Sequence, residues 1–212
     1  MNQDLVVTIS REVGSGGRTV GRKLAEKLDV RYSDKDLINA LREQFNLTAS
    51  TIEELKGEKK NWFSDFVKKV APMPKQNMLV NDESRFVREF RSGVTTDDVF
   101  KSESEILKAI AAEGPCVIAG RSGFFVLKDC PGKISVFITA SRENRIARVM
   151  RKQNLNEEQA AAIIDSIDQS RENYIQRYTG TSRYDARNYD LVINMDHVSE
   201  DEAVDLILAY IH

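Results

Sequence analysis

Cysteine, histidine and proline are all scarce here: two, two and four residues in a chain of 212. Cys116 and Cys130 lack metal-ligand spacing and cannot form a disulfide framework, so both are read as reduced thiols of a cytoplasmic protein. Neither His197 nor His212 has a partner motif, which argues against nucleophilic triad chemistry. No apolar run is long enough to span a bilayer, and "MNQDLVVTIS" has no basic stretch before its short apolar segment, so neither a membrane partner nor a secretory leader is expected. A net charge of −2 gives no global basic field, so nucleic acid is not an expected partner.

What is present is enough to build a core. The hydrophobic fraction is 41% and the charged fraction 30%, which at this length suits one soluble domain with a smaller insertion. Four apolar, β-branched runs stand out: Leu5–Ser10, Pro115–Gly120, Lys133–Thr139 and Tyr189–Asn194, with Val30–Ser33 a weaker fifth. Each is nearly continuous rather than alternating, which predicts strands buried on both faces of a parallel sheet. Between them lie helical patterns. Val20, Leu24 and Leu28 share one face; Ser102 with Glu105, and Ser199 with Glu202, read as capping boxes opening two further helices. Strand alternating with helix predicts an α/β doubly wound domain.

Residues 45–100 break that alternation. Thr51 and Glu54 read as a cap, Trp62, Phe63, Phe66, Val67 and Val70 form an aromatic-rich stripe, "APMPK" interrupts it, and Phe86, Val87 and Phe90 begin another helical pattern. This segment is expected to be a helical insertion on the substrate side of the sheet; a helix pair packed on the core is the alternative. Its aromatic face suits closing on a substrate and pairing in a homo-oligomer equally well.

The stretch "SREVGSGGRTVGRKLAEKL" carries the chemistry. A phosphate-binding loop has the pattern G-x-x-x-x-G-K-[ST] between a strand and a helix: backbone N–H groups cradle phosphates, the lysine reaches the outer ones and the hydroxyl takes magnesium. Here Gly14, Ser15, Gly16 and Gly17 form the loop, but no lysine stands in it. Counting from the hydroxyl of Thr19 puts Arg18 at the lysine's place and Glu12 at the first glycine's; counting from the strand puts Gly17 there. The first register is favoured, because arginine at the phosphates would keep the charge and grip two oxygens at once.

Several further motifs follow in order: "YSDKDLI" (Tyr32–Ile38), "CVIAGRSGFFVLKDCPGKISVFITAS" (Cys116–Ser141) and "RYDARNYDLVINMD" (Arg183–Asp196). Together with the glycine loop they resemble the cytidylate kinase-like family, from about Thr8 to the C-terminus and most weakly through residues 45–100. The resemblance implies a P-loop kinase-like parallel sheet flanked by helices, with a helical insertion and a helical lid over roughly 150–180, in one domain spanning the chain. It implies ATP and Mg2+ as cofactors, a nucleoside monophosphate as substrate, and Thr19 as the metal-side hydroxyl. Asp34 falls on the family's acidic position facing the monophosphate. Arg121 matches the arginine of a G-R-D segment that holds the acceptor phosphate, while Ser122 and Phe124 depart from its acidic positions, and Ala40 stands near another expected arginine, so that contact is either lost or moved to Arg42. Arg145 and Arg148 match basic positions before the lid, Arg171 with Glu172 an Arg–acid pair after it, Arg177 is a further closing cation, and Arg187 falls near the adenine or the lid.

Three functions compete on the sequence. One is a kinase carrying the ATP γ-phosphate to CMP, dCMP or a similar monophosphate. The absent lysine and the altered G-R-D segment favour a second, a nucleotide-binding sensor or regulator without turnover. The third is a P-loop kinase for another small phosphate acceptor.

Overall fold

A computed structural model describes residues 4–34, Thr48 and residues 96–211. The chain divides into two compact units, one of residues 1–34 with 114–212 and the other of residues 35–113. The expected helical insertion over 45–100 falls almost wholly outside the described residues, as do Ala40 and Arg42.

All five expected strands form. They are β1 (Val6–Arg11), β2 (Arg31–Asp34), β3 (Cys116–Ala119), β4 (Lys133–Thr139) and β5 (Leu191–Asn194). The sheet order is β2-β3-β1-β4-β5, and every neighbouring pair is parallel. The register sets Val6 of β1 opposite Cys116 on one side and Lys133 on the other. Because β1 is central, its side chains meet protein on both faces, which explains its unbroken "VVTIS" pattern.

The helices of the sheet unit are α1 (Gly17–Leu28), α3 (Gly123–Val126), α4 (Arg142–Gln153), α5 (Glu157–Thr179) and α6 (Glu200–Ile211), with a 3-10 turn at Ala186–Asn188. In the core, Val20, Leu24 and Leu28 of α1 and Ala203, Val204 and Ile207 of α6 pack with Val7, Ile9, Val117, Val136, Ile138 and Ile193 from the strands. Each of these large side chains contributes about 1.5–3 kcal/mol by leaving water. On the other side of β1, the Thr8 hydroxyl donates to Ser135 Oγ at 3.0 Å, while Phe137 stacks on Tyr189 with ring centroids 5.1 Å apart. Burial pushes the Tyr189 phenol up to about 12.

Cys116 and Cys130 are both free thiols, and burial pushes Cys116 up to about 11. Among the described residues no helix is long and apolar enough to cross a membrane.

The second unit is described through α2 (Thr96–Ala112), on which Val99, Ile106, Leu107 and Ile110 are buried. The capping box expected at Ser102 and Glu105 does not open this helix. Its stripe already includes Val99, and the Ser102 hydroxyl donates back to the Val99 carbonyl at 3.0 Å inside the helix. The box at Ser199 and Glu202 does form: the Glu202 N–H donates to Ser199 Oγ at 3.2 Å, and the Ser199 N–H to Glu202 Oε2 at 2.8 Å.

In open α/β sheets, ligands bind outside the carboxyl ends of the strands where successive connections leave in opposite directions. β1 leads through α1 to β2 on one side, and β4 leads towards β5 on the other. The carboxyl end of β1 is therefore the switch point, and the glycine loop begins there.

Candidate active site

From Arg11 the chain turns sharply into α1. Both the Ser15 N–H and its hydroxyl donate to the Glu12 carbonyl, at 3.4 and 3.0 Å, which closes the turn. Gly16 caps α1 at φ 91°, a left-handed conformation, and Gly17 is the first helical residue. Glu12 is fixed in turn, its carboxylate accepting a short hydrogen bond from the Thr139 hydroxyl.

The N–H groups of Gly14, Gly16 and Gly17 donate to nothing among the described residues. With the dipole of α1 behind them they form a cradle for an anion. Gly14 is held at φ +81°, and a Cβ there would lie 2.6 Å from the Arg145 carbonyl oxygen. Gly14→Ala is therefore expected to cost at least about 2 kcal/mol, from left-handed strain and a clash with backbone that cannot swing aside. Urea unfolding checks this, and an unchanged midpoint would mean that the loop has room to spare.

Arg18, expected as the phosphate clamp, holds Asp34. Its Nε and Nη2 lie 3.1 and 2.9 Å from Asp34 Oδ2, and the Tyr32 hydroxyl donates to the Arg18 carbonyl at 3.4 Å. Asp34 ends β2 and is buried. Two expected site residues are thus brought together, with the cation partly neutralised by the carboxylate. Thr19 is half-buried in the first turn of α1 and donates its N–H to the Gly16 carbonyl at 2.9 Å.

Arg121 stands just past β3. Gly120, Arg121 and Ser122 have φ of 89°, 55° and 57°, so two consecutive non-glycine residues are left-handed. Such conformations cost roughly 1–2 kcal/mol each and cluster at functional sites. β3 lies beside β1, and the Gly120 N–H donates to the Ile9 carbonyl at 3.0 Å, so the strained turn is sewn to the strand that feeds the glycine loop.

α4 and α5 form the hairpin expected as a lid. Ser141 caps α4, and Asn156 with Gln159 makes a capping box for α5. Val13 of the glycine loop packs with Ile146, Val149, Met150, Ala160 and Ile164 from the two helices. Asp168, which the sequence reading missed, is the polar hub. It is 6% exposed and accepts the Val13 N–H at 3.1 Å, Arg145 Nη1 at 2.8 Å, Arg183 Nη1 at 3.3 Å and Arg171 Nη1 at 3.5 Å.

Arg171 also donates to the Arg11 carbonyl at 3.4 Å, and Arg183, likewise missed, donates to the same oxygen. Arg145 and Arg148 both lie behind the loop, Arg148 pairing with Glu200 at 2.5 Å. Arg177 does not join this group. It is exposed over the Tyr178 ring at 5.4 Å, and six residues beyond Arg171 is about 120° round the helix. Arg187 is 89% exposed and tied to Asp185 at 2.7 Å.

The i, i+3 spacing of Asp168 and Arg171 was the available signal for the hub. Nothing in the sequence tied either residue to Val13 or Arg183.

A model of the cytidylate kinase-like family matches residues 6–197. The chain is 26% identical over 209 residues to a cytidylate kinase of Sulfurisphaera tokodaii, covering 98% of this chain and 96% of that one. Among solved structures, it is similar to an uncharacterized protein from Eubacterium ventriosum, with a TM-score of 0.68, 24% identity and 98% of each chain covered. It is also similar to shikimate kinase from Bacteroides thetaiotaomicron, with a TM-score of 0.52, 13% identity and 97% of each chain covered. The fold is that of the P-loop kinases, a five-stranded parallel sheet flanked by helices.

Proposed function

The chain belongs to the cytidylate kinase-like family, and we propose that it transfers the γ-phosphoryl group of ATP to CMP, dCMP or a similar nucleoside monophosphate. The observation that carries this reading is the open cradle of Gly14, Gly16 and Gly17 N–H groups at the switch point, with Arg171 of α5 on the Arg11 carbonyl and Arg121 in the left-handed turn that follows β3. In this reading the loop from Gly14 to Thr19 holds the donor's phosphates, Arg121 grips the acceptor phosphate, and Arg171 closes from α5. Arg177 would come into play only if the hairpin moves. The paired Arg18 and Asp34 flank the acceptor side and orient it.

The reaction breaks the bond between the γ-phosphorus and the ADP oxygen and forms one to a phosphate oxygen of the acceptor. A phosphate monoester near neutral pH has shed most of its second proton, so the attacking oxygen needs no general base. Positioning and charge neutralisation supply the catalysis, which is what a ring of arginines around a fixed cradle provides. Mg2+, when bound, would neutralise charge on the donor phosphates, and such an ion is commonly held by few protein groups. Thr19, in the first turn of α1, would offer it a hydroxyl, one position past the place that the pattern gives its own when Gly17 stands for the lysine. Among the described residues no group of three acidic, histidine or cysteine side chains could hold a metal alone.

The Arg18–Asp34 pair favours the rival reading of a binding protein without turnover, since it leaves the loop without the cation expected at that position. Coupled ADP release with Mg2+, ATP and a panel of ribo- and deoxyribonucleoside monophosphates separates the two. Release that depends on a cytidine monophosphate is expected. Measurable ATP affinity with no acceptor-dependent release would leave the sensor.

A further inference from the structure

We propose that Arg11 supplies the phosphate-side cation of the glycine loop, in the place of the missing lysine. Arg11 has this role only if the loop holds a nucleotide's phosphates, as in the reading above.

The helix boundary carries the first step. Because Gly16 caps α1 and Gly17 is its first helical residue, Gly17 stands where G-x-x-x-x-G-K-[ST] has its lysine, and Arg11 stands at that pattern's first glycine. Of the three departures in this register, Arg18 at the hydroxyl's position stands apart, and the other two are reciprocal: a glycine at the lysine's position and a long cation at the glycine's.

In space they complement each other. A Cβ on Gly17 would lie 2.6 Å from Arg11 Cβ and 3.2 Å from Arg11 Cγ, so the stem of Arg11 fills the volume that a lysine stem at position 17 would need. The guanidinium then reaches Gly120, where a Cβ would lie 3.2 Å from Arg11 Cζ and 3.6 Å from Nη2. Arg11 thus runs along the carboxyl ends of β1 and β3, from the loop to the turn that carries Arg121. A cation lying between donor and acceptor cradles is placed for the phosphoryl group that passes between them.

The electrostatics agree. Burial pulls the Arg11 guanidinium below the usual arginine range, with Arg183 and Arg18 adding repulsion against attraction from Asp34. Among the described residues the guanidinium forms no hydrogen bond and no ion pair, while its own carbonyl is held by Arg171 and Arg183. Arg18, Arg145, Arg148 and Arg183 all pair with carboxylates. A half-buried arginine with no counter-ion beside it is better placed when an anion arrives to meet it. Arginine suits the position better than lysine would, because its planar head can grip two phosphate oxygens from a strand end.

The test is calorimetric affinity for ADP and for AMP, which differ in the β-phosphate. Wild type is expected to bind ADP at least tenfold more tightly. Arg11→Ala should lose ADP affinity by about 10–100-fold, while AMP affinity changes less than about threefold. The double variant Arg11→Gly with Gly17→Lys returns a lysine to the loop, with Ile138 Cβ as its tight neighbour at 3.0 Å, and should recover most of the lost preference. If Arg11→Ala does not fold by circular dichroism, Arg11→Gln replaces it, keeping the stem and removing the charge. An unchanged ADP-over-AMP preference in the folded variant overturns the assignment, as does a wild type with no such preference. Wild type that prefers ADP yet turns over no acceptor defeats the kinase reading alone, and the Arg11 variants still decide the contact.

Discussion

Asp168→Ala is expected to lower stability by about 3–5 kcal/mol, a fall in melting temperature of roughly 10 °C at this chain length. Asp168 is the carboxylate on which Arg145 and Arg183 converge, and their side chains are only 11% and 3% exposed. Removing the acceptor takes from Arg183 its carboxylate, leaves Arg145 with only Glu12 at 3.6 Å, both in a dry environment, and leaves the Val13 N–H without its partner. The loss is therefore larger than the value of any one bond. Asp168→Asn keeps the shape and one acceptor oxygen, so it should fall between the two. Differential scanning calorimetry reads all three proteins. A melting point of Asp168→Ala within 2 °C of wild type would show that the three arginines find other partners, and that α5 is not fastened to the glycine loop through this carboxylate.

The strands were legible because burial on both faces leaves a direct mark, an unbroken run of Val, Ile and Ala. "CVIA" and "KISVFIT" could hardly be read otherwise. Caps were less reliable. Ser199 with Glu202 and Ser102 with Glu105 look alike in sequence, yet only the first opens a helix, because Val99 continues the apolar stripe upstream of Ser102. The glycine loop was legible as a loop but not in its wiring. Matching by residue type draws Arg18 to the lysine's place, whereas the left-handed Gly16 starts the helix one residue earlier in the pattern. Asp168 and Arg183 were invisible as site residues for a different reason. Their partners, Val13 and the Arg11 carbonyl, lie more than 150 positions away, and no local spacing records such a contact. The arginine count gave the charge around the cradle; only the fold says which arginines are already neutralised.

Arg121→Gly is expected to separate stability from function. The backbone at Arg121 sits at φ 55°, where glycine is favoured over any L side chain by about 1 kcal/mol or more, so the variant should melt no lower than wild type. Its kcat/KM for the nucleoside monophosphate should nevertheless fall by about two to three orders of magnitude, since a charged contact to a transferring or accepting phosphate supplies roughly 2–4 kcal/mol of transition-state stabilisation. The fall should appear first in the KM for the acceptor, with ATP affinity little changed, because Arg121 projects from the β3 turn and not from the glycine loop. Arg121→Lys tests the geometry: it keeps the charge and the strain but not the two-pronged grip, and should recover only part of the loss. A strained arginine that serves packing alone would behave oppositely, with glycine lowering the melting point and leaving the acceptor KM near wild type. A loss of ATP affinity at constant acceptor KM would instead exchange the two half-sites, giving the β3 turn to the donor nucleotide.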